Sequence, residues 1–147
     1  MKSLFNEEAY KEVLNRINNL QGNSERQWGK MSLGQMAWHC QYPLKVAIKN
    51  KKSDKKANLI IRLFVKKSMY NDKPWRKSLP TAPALKTKEE KDITTEIEKL
   101  KELVIEFYAL KTRKKWHSHP VFGVLTHDQW GKMEYKHLDH HLRQFGV

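Results

Sequence analysis

The chain is 147 residues long, a single-domain length, and its 39% hydrophobic content with 5 Trp, 5 Tyr and 5 Phe supplies a packed core. Only 6 Gly and 5 Pro exclude a fibrous or mainly disordered chain, and apolar runs of a few residues exclude a bilayer-spanning helix. Lys and Arg number 29 against 16 Asp and Glu, and the resulting +13 raises nucleic acid or acidic lipid as partners.

The first predicted helix covers about 5–20, with Tyr10, Val13, Leu14, Ile17 and Leu20 at helical spacing and Gly22 and Asn23 ending it. Glu7 and Glu8 stand where a signal peptide needs apolar residues, so the expected location is cytoplasmic. The second helix covers about 32–49. Ser32 and Gln35 fit a capping box, and Leu33, Met36, Ala37, Cys40, Leu44 and Ala47 form one stripe, with a kink expected at Pro43. The lone cysteine, Cys40, forms no internal disulfide and reads as a small core residue.

A short third segment, about 57–70, is apolar around most of its circumference, so it is covered either by the bundle or by its copy in a homodimer. Residues 45–77 carry 12 Lys/Arg and 2 Asp, a net of +10. That stretch supports a non-enzymatic alternative, a basic module binding nucleic acid or acidic lipid. It lacks a recognition-helix motif and interleaved aromatics, and a run of lysines is more often a solvated face. After the irregular PWRKSLPTAP, Thr87 and Glu90 predict a capping box that opens a long helix to about 110. A loop containing HSHPVFG follows, and Thr126 with Gln129 predicts the start of a last helix to about 145.

Four long helices plus one short extra helix predict an all-α, four-helix bundle in one domain, residues 1–147. The connection between the second and third long helices, roughly 50–87, is longer than antiparallel neighbours need. A crossover is therefore expected, with those two helices parallel.

Six of the seven histidines fall in the last 32 residues, where acids and bases balance. His137 and His141 are four apart, so they lie only about 40° apart around a helix and one turn apart along it. That is how one helix offers two nitrogens to a single metal. The leading third ligand is His39, midway along the second helix, and three neutral imidazoles leave a coordination position open. Paired histidines at this spacing also occur as ordinary surface or hydrogen-bonded residues. Glu134 with His137 makes half of a di-iron signature, but no second copy exists, so the di-iron bundle reading fails.

WHC at 38–40, HPVFG at 119–123, LTHDQWG at 125–131 and YKHLDHHLRQFG at 135–146 together resemble the DinB-like superfamily of metalloenzymes, in a bacterial branch of unknown function. The resemblance implies an up-down-down-up bundle. It also implies one metal-ligating histidine on the second helix and two, four apart, on the fourth, positions that match His39, His137 and His141. Many such proteins follow the double histidine with Arg-Gly-Gln, whereas Leu142, Arg143 and Gln144 stand here. Characterised relatives include transferases and isomerases that use low-molecular-weight thiols, and relatives are often dimeric. The resemblance thus implies an enzyme holding zinc or nickel, with a thiol cofactor and a small-molecule substrate; metal-assisted hydrolysis fits the same ligands.

His119, in a loop able to cover the site, and Glu134, one turn before His137, are the candidate acid/base groups. A loop anchor and a solvated helix-face glutamate are the plain alternatives. His140 reads as a neighbour of the ligands or a surface residue, and His117 and His127 as solvent-facing loop residues. Trp38 and Trp130 are candidates for the pocket wall, with core packing the simpler role.

Overall fold

The computed structural model describes residues 1–52 and 66–147. Its four long helices are α1 (Glu7–Asn18), α2 (Leu33–Lys49), α3 (Ile93–Ala109) and α4 (His127–Gln144), with short 3-10 turns at Lys66–Met69, Pro83–Leu85 and Leu110–Thr112. No strand occurs among the described residues beyond one isolated bridge between His119 and Gly123. Most of the expected apolar segment 57–70 lies outside the described residues, and with it the surface proposed for a homodimer. Its last residues form the first 3-10 turn. No helix among the described residues is long and apolar enough to cross a membrane.

The caps follow local chemistry. Asn6 Oδ1 accepts from the N–H groups of Glu8 and Ala9 at the start of α1. Ser32 with Gln35, and Thr126 with Gln129, form reciprocal capping boxes at the starts of α2 and α4, as the sequence predicts. The start of α3 differs. The expected Thr87–Glu90 box does not form: Thr87 Oγ1 takes the Glu89 N–H at 3.1 Å, Glu90 accepts from Ser32 Oγ, and Asp92 caps the helix by accepting from Thr95. Residues 86–92 are drawn off to bridge α2, and the helix begins six residues after Thr87. Pro43 sits inside α2 without ending it.

Hydrogen bonds between elements fix the topology. Gln35 Nε2 donates to Glu89 O, Gln41 Nε2 to Glu96 O, and Arg113 Nη1 to Ala47 O, so α2 and α3 run parallel from start to finish. Leu4 N–H donates to Gly131 O and Arg16 to Asp139, which sets α1 parallel to α4. Gln144 Nε2 donates to Trp28 O, bringing the end of α4 to the start of α2. This is the up-down-down-up four-helix bundle with the long crossover between α2 and α3.

Val13, Ile17, Met36, Leu44, Leu100, Val104, Phe107, Leu138 and Leu142 fill the centre, each essentially inaccessible. Burying each such side chain favours folding by about 1.5–3 kcal/mol. The same packing encloses His39, 3% exposed, and His141, 7% exposed, on facing helices. A polar cluster thus lies inside an apolar wall.

Candidate metal centre

His39 projects from the middle of α2 toward the two histidines that α4 presents one turn apart. The three ring centroids are 4.7–5.0 Å apart. One ring nitrogen from each lies within 4.8 Å of the others, and Nε2 of His39 and of His137 are 3.0 Å apart. Nitrogens around a tetrahedral ion with bonds near 2.1 Å stand about 3.4 Å apart, so small ring movements produce a binding geometry. The sequence-derived triad is brought together.

The partners of these rings say which nitrogen carries the proton. His39 Nδ1 faces Leu85 O at 2.9 Å, and a carbonyl only accepts, so Nδ1 holds the hydrogen and Nε2 is a bare lone pair. The 3.0 Å contact therefore has His137 Nε2–H donating to His39 Nε2. His141 Nδ1 bonds Gln144 Oε1 at 2.8 Å, and Gln144 Nε2 in turn donates to Trp28 O. Two of the three rings are thus oriented from behind, the arrangement that fixes metal-binding imidazoles. Gly29 makes room for this: its φ is +82°, and a Cβ there would stand 2.5 Å from Gln144 Nε2.

Electrostatics favour neutral imidazole. Burial lowers the His39 pKa, with the Leu85 bond opposing it. Burial and then the His39 ring lower His141 to about 3, and burial followed by the neighbouring histidines holds His137 well below the usual range. Three uncharged nitrogens in a dry site suit a cation and disfavour protons. The residues present fit a divalent metal.

Glu134 is completely buried, with neither carboxylate oxygen hydrogen-bonded among the described residues, and burial raises its pKa to about 8. It is not a solvated helix-face residue. His119 lies over the start of α4: its ring stacks on Phe122 and packs against Trp130, and its Nδ1 accepts the N–H groups of Val121 and Phe122. Trp130 precedes His137 by seven residues, about 10 Å along the axis. Burial lowers the His119 pKa to about 4. Cys40 is buried, and burial pushes its thiol pKa up, consistent with a core role.

A cleft of about 530 Å³ lies between residues 28–31, residues 78–87 and the end of α4, and of the triad it reaches His141. A second, of about 450 Å³, adjoins it across Trp28 and His140, with Trp75 in its wall. Trp38 and Trp130 line neither; Trp38 lies under Lys91, and Trp130 packs on Trp116. His127 is no loop residue: it opens α4, stacks on Phe5 at 4.1 Å and accepts from Trp116 Nε1. His117 is exposed, as expected. Of the basic stretch 45–77, Lys45 donates to Gln41, Lys66 to Val124 O, and Lys77 lies over the Trp28 ring. The sequence reading missed Gln144, Leu85, Trp28 and Trp75. Only Gln144, three residues after His141 on the same helix, carried a usable signal.

A family model described as a protein of unknown function, DUF1569, matches residues 2–146. The chain belongs to the DUF1569 family. No curated protein and no solved structure matches it.

Proposed function

We propose that this DUF1569 protein is a mononuclear metal-dependent enzyme of the DinB-like type, with His39, His137 and His141 as ligands of zinc or nickel and a small molecule as substrate. The observation that carries this reading is the convergence of three neutral imidazoles from two helices, two of them held from behind by Leu85 O and Gln144 Oε1. A purely structural cluster has no need to gather three imidazoles in a water-poor core, where burying each polar ring costs desolvation.

A divalent ion held there supplies Lewis acidity, lowering the pKa of a coordinated water or thiol. The chain's own part is to keep the imidazoles unprotonated, to exclude bulk water on the core side and to admit a ligand at the His141 side through the cleft. A low-molecular-weight thiol is the cofactor the superfamily resemblance favours, which makes S-transfer or isomerisation the leading reaction class. Hydrolysis is the second, because the same open position accepts water. His119, two turns away, would contribute as an acid/base group only through movement of its loop.

The test is metal analysis of tag-free protein. About one equivalent of a divalent transition metal is expected, lost in His137→Ala and His141→Ala with the helical circular dichroism retained. Full metal affinity in His39→Ala would remove the third ligand and the reading with it. Titrating the cobalt-substituted protein with small thiols then shows whether a thiol enters the open position, and turnover of an electrophile only when thiol is added separates S-transfer from hydrolysis, which needs none.

A further inference from the structure

Four sealed side-chain nitrogen or oxygen atoms lack a hydrogen-bond partner among the described residues: Trp130 Nε1, both carboxylate oxygens of Glu134, and His137 Nδ1. Buried polar groups are nearly always paired, so each calls for an explanation. These four are not scattered. Residues 130, 134 and 137 follow at intervals of four and three, and at 100° per residue they fall within about 60° of one another on α4. Residues at these spacings are the ones whose side chains meet on a helix.

Their chemistry is complementary. Trp130 Nε1–H is only a donor. His137 Nδ1 is a lone pair while Nε2 donates to His39, and it becomes N–H once Nε2 is given to an ion. A group able to serve this ring must both donate and accept, and the carboxyl of Glu134 one turn back does both. The other two rings already have their partners, Leu85 O behind His39 and Gln144 Oε1 behind His141. Among the described residues, only the His137 ring lacks one.

We propose that Glu134 is a positioning residue, its carboxyl pairing with His137 Nδ1 directly or through one enclosed water, and taking the Trp130 N–H on its other side. This rests on the metal reading above for its consequence. With Glu134 in place all three ligands are held from behind, and the His137 ring cannot turn its Nε2 away. Without it, that ring is the loose one of the three.

The experiment uses the full chain and Zn²⁺ alone, measured by chelator competition, with Glu134→Leu and Glu134→Gln. Leucine removes a buried carboxyl, which favours folding, but leaves the Trp130 N–H and His137 Nδ1 unpaired, which opposes it, so metal-free Glu134→Leu is expected to fold and to melt within a few degrees of wild type. Its Zn²⁺ affinity is expected to fall by 10-fold or more, the usual effect of losing such a partner. Glu134→Gln, which keeps a donor and an acceptor, should recover most of that loss. A merely structural glutamate gives no such split between stability and affinity. A folded Glu134→Leu protein binding Zn²⁺ within about twofold of wild type overturns the proposal.

Nitrogen-15 shifts of the His137 ring in metal-free protein give an independent reading. A changed Nδ1 shift in Glu134→Leu supports the contact, and an unchanged one refutes it. This arm applies even if the wild type takes up no metal, an outcome that ends the enzyme reading without deciding the contact. It also applies with Glu134→Gln if the leucine variant fails to fold.

Discussion

Gln144→Leu is the most informative perturbation of the centre. The amide sits between His141 Nδ1, 2.8 Å from its Oε1, and Trp28 O, 2.7 Å from its Nε2, and it is 3% exposed. Leucine removes both bonds, about 1 kcal/mol each net, and leaves a sealed N–H on a ring that is itself 7% exposed. An unsatisfied buried donor costs about 1–3 kcal/mol. With His141 as a ligand, as proposed above, Zn²⁺ affinity is expected to drop about 10–100-fold, equivalent to about 1.4–2.8 kcal/mol. The metal-free protein should melt roughly 3–8 °C lower. Chelator competition and thermal circular dichroism measure the two effects separately. Gly29→Ala provides a second route to the same state, since its Cβ would meet Gln144 Nε2 at 2.5 Å and its φ of +82° disfavours a side chain. If Gln144→Leu bound Zn²⁺ as tightly as wild type, the bond to His141 would have no part in holding the ligand.

Four further outcomes are expected. In metal-free protein the histidines of the triad are neutral at pH values where the unfolded chain's are protonated. The unfolded state therefore binds more protons below pH 6.5, and urea midpoints should fall as pH drops from 6.5 to 5, with a slope approaching ~1.4 kcal/mol per pH unit for each of His137 and His141 and a further contribution of the same sign from His39. Saturating Zn²⁺ should raise the melting temperature of wild type and leave His141→Ala unmoved, which calorimetry with and without the ion checks. Phe107→Ala should destabilise by about 3–5 kcal/mol in a urea titration, because the ring is fully buried and stacks on Phe5 at 4.6 Å. Cys40 should resist thiol reagents in the native protein and react on denaturation; rapid native labelling would contradict its enclosure.

The capping boxes at Ser32 and Thr126 were legible because both partners lie within one turn, so local sequence decides them. Thr87 and Glu90 carry the same signature and fail, since Glu90 is taken by Ser32 and Gln35 by Glu89 O from across the bundle. Competition from a distant element leaves no trace in a four-residue pattern. The triad was legible in part for a similar reason: spacing of four fixes His137 beside His141, whereas His39 was a candidate by its mid-helix place and was singled out by the superfamily resemblance. Leu85 was not, because its backbone oxygen is what matters and any residue type supplies one. His127 was misread as a loop residue because its partners, Phe5 and Trp116, come from other parts of the chain. Glu134 shows the limit in the other direction: its position was noticed, while its complete enclosure depends on how α4 packs.

Leu85 belongs to two structures at once. Its carbonyl steers the His39 ring, and the same residue forms part of the wall of the larger cleft. A molecule in that cleft would lie against the residue whose peptide aims one of the three nitrogens. If the triad holds an ion as proposed, then by reciprocity any shift of His39 on binding it would be felt at the wall of that chamber.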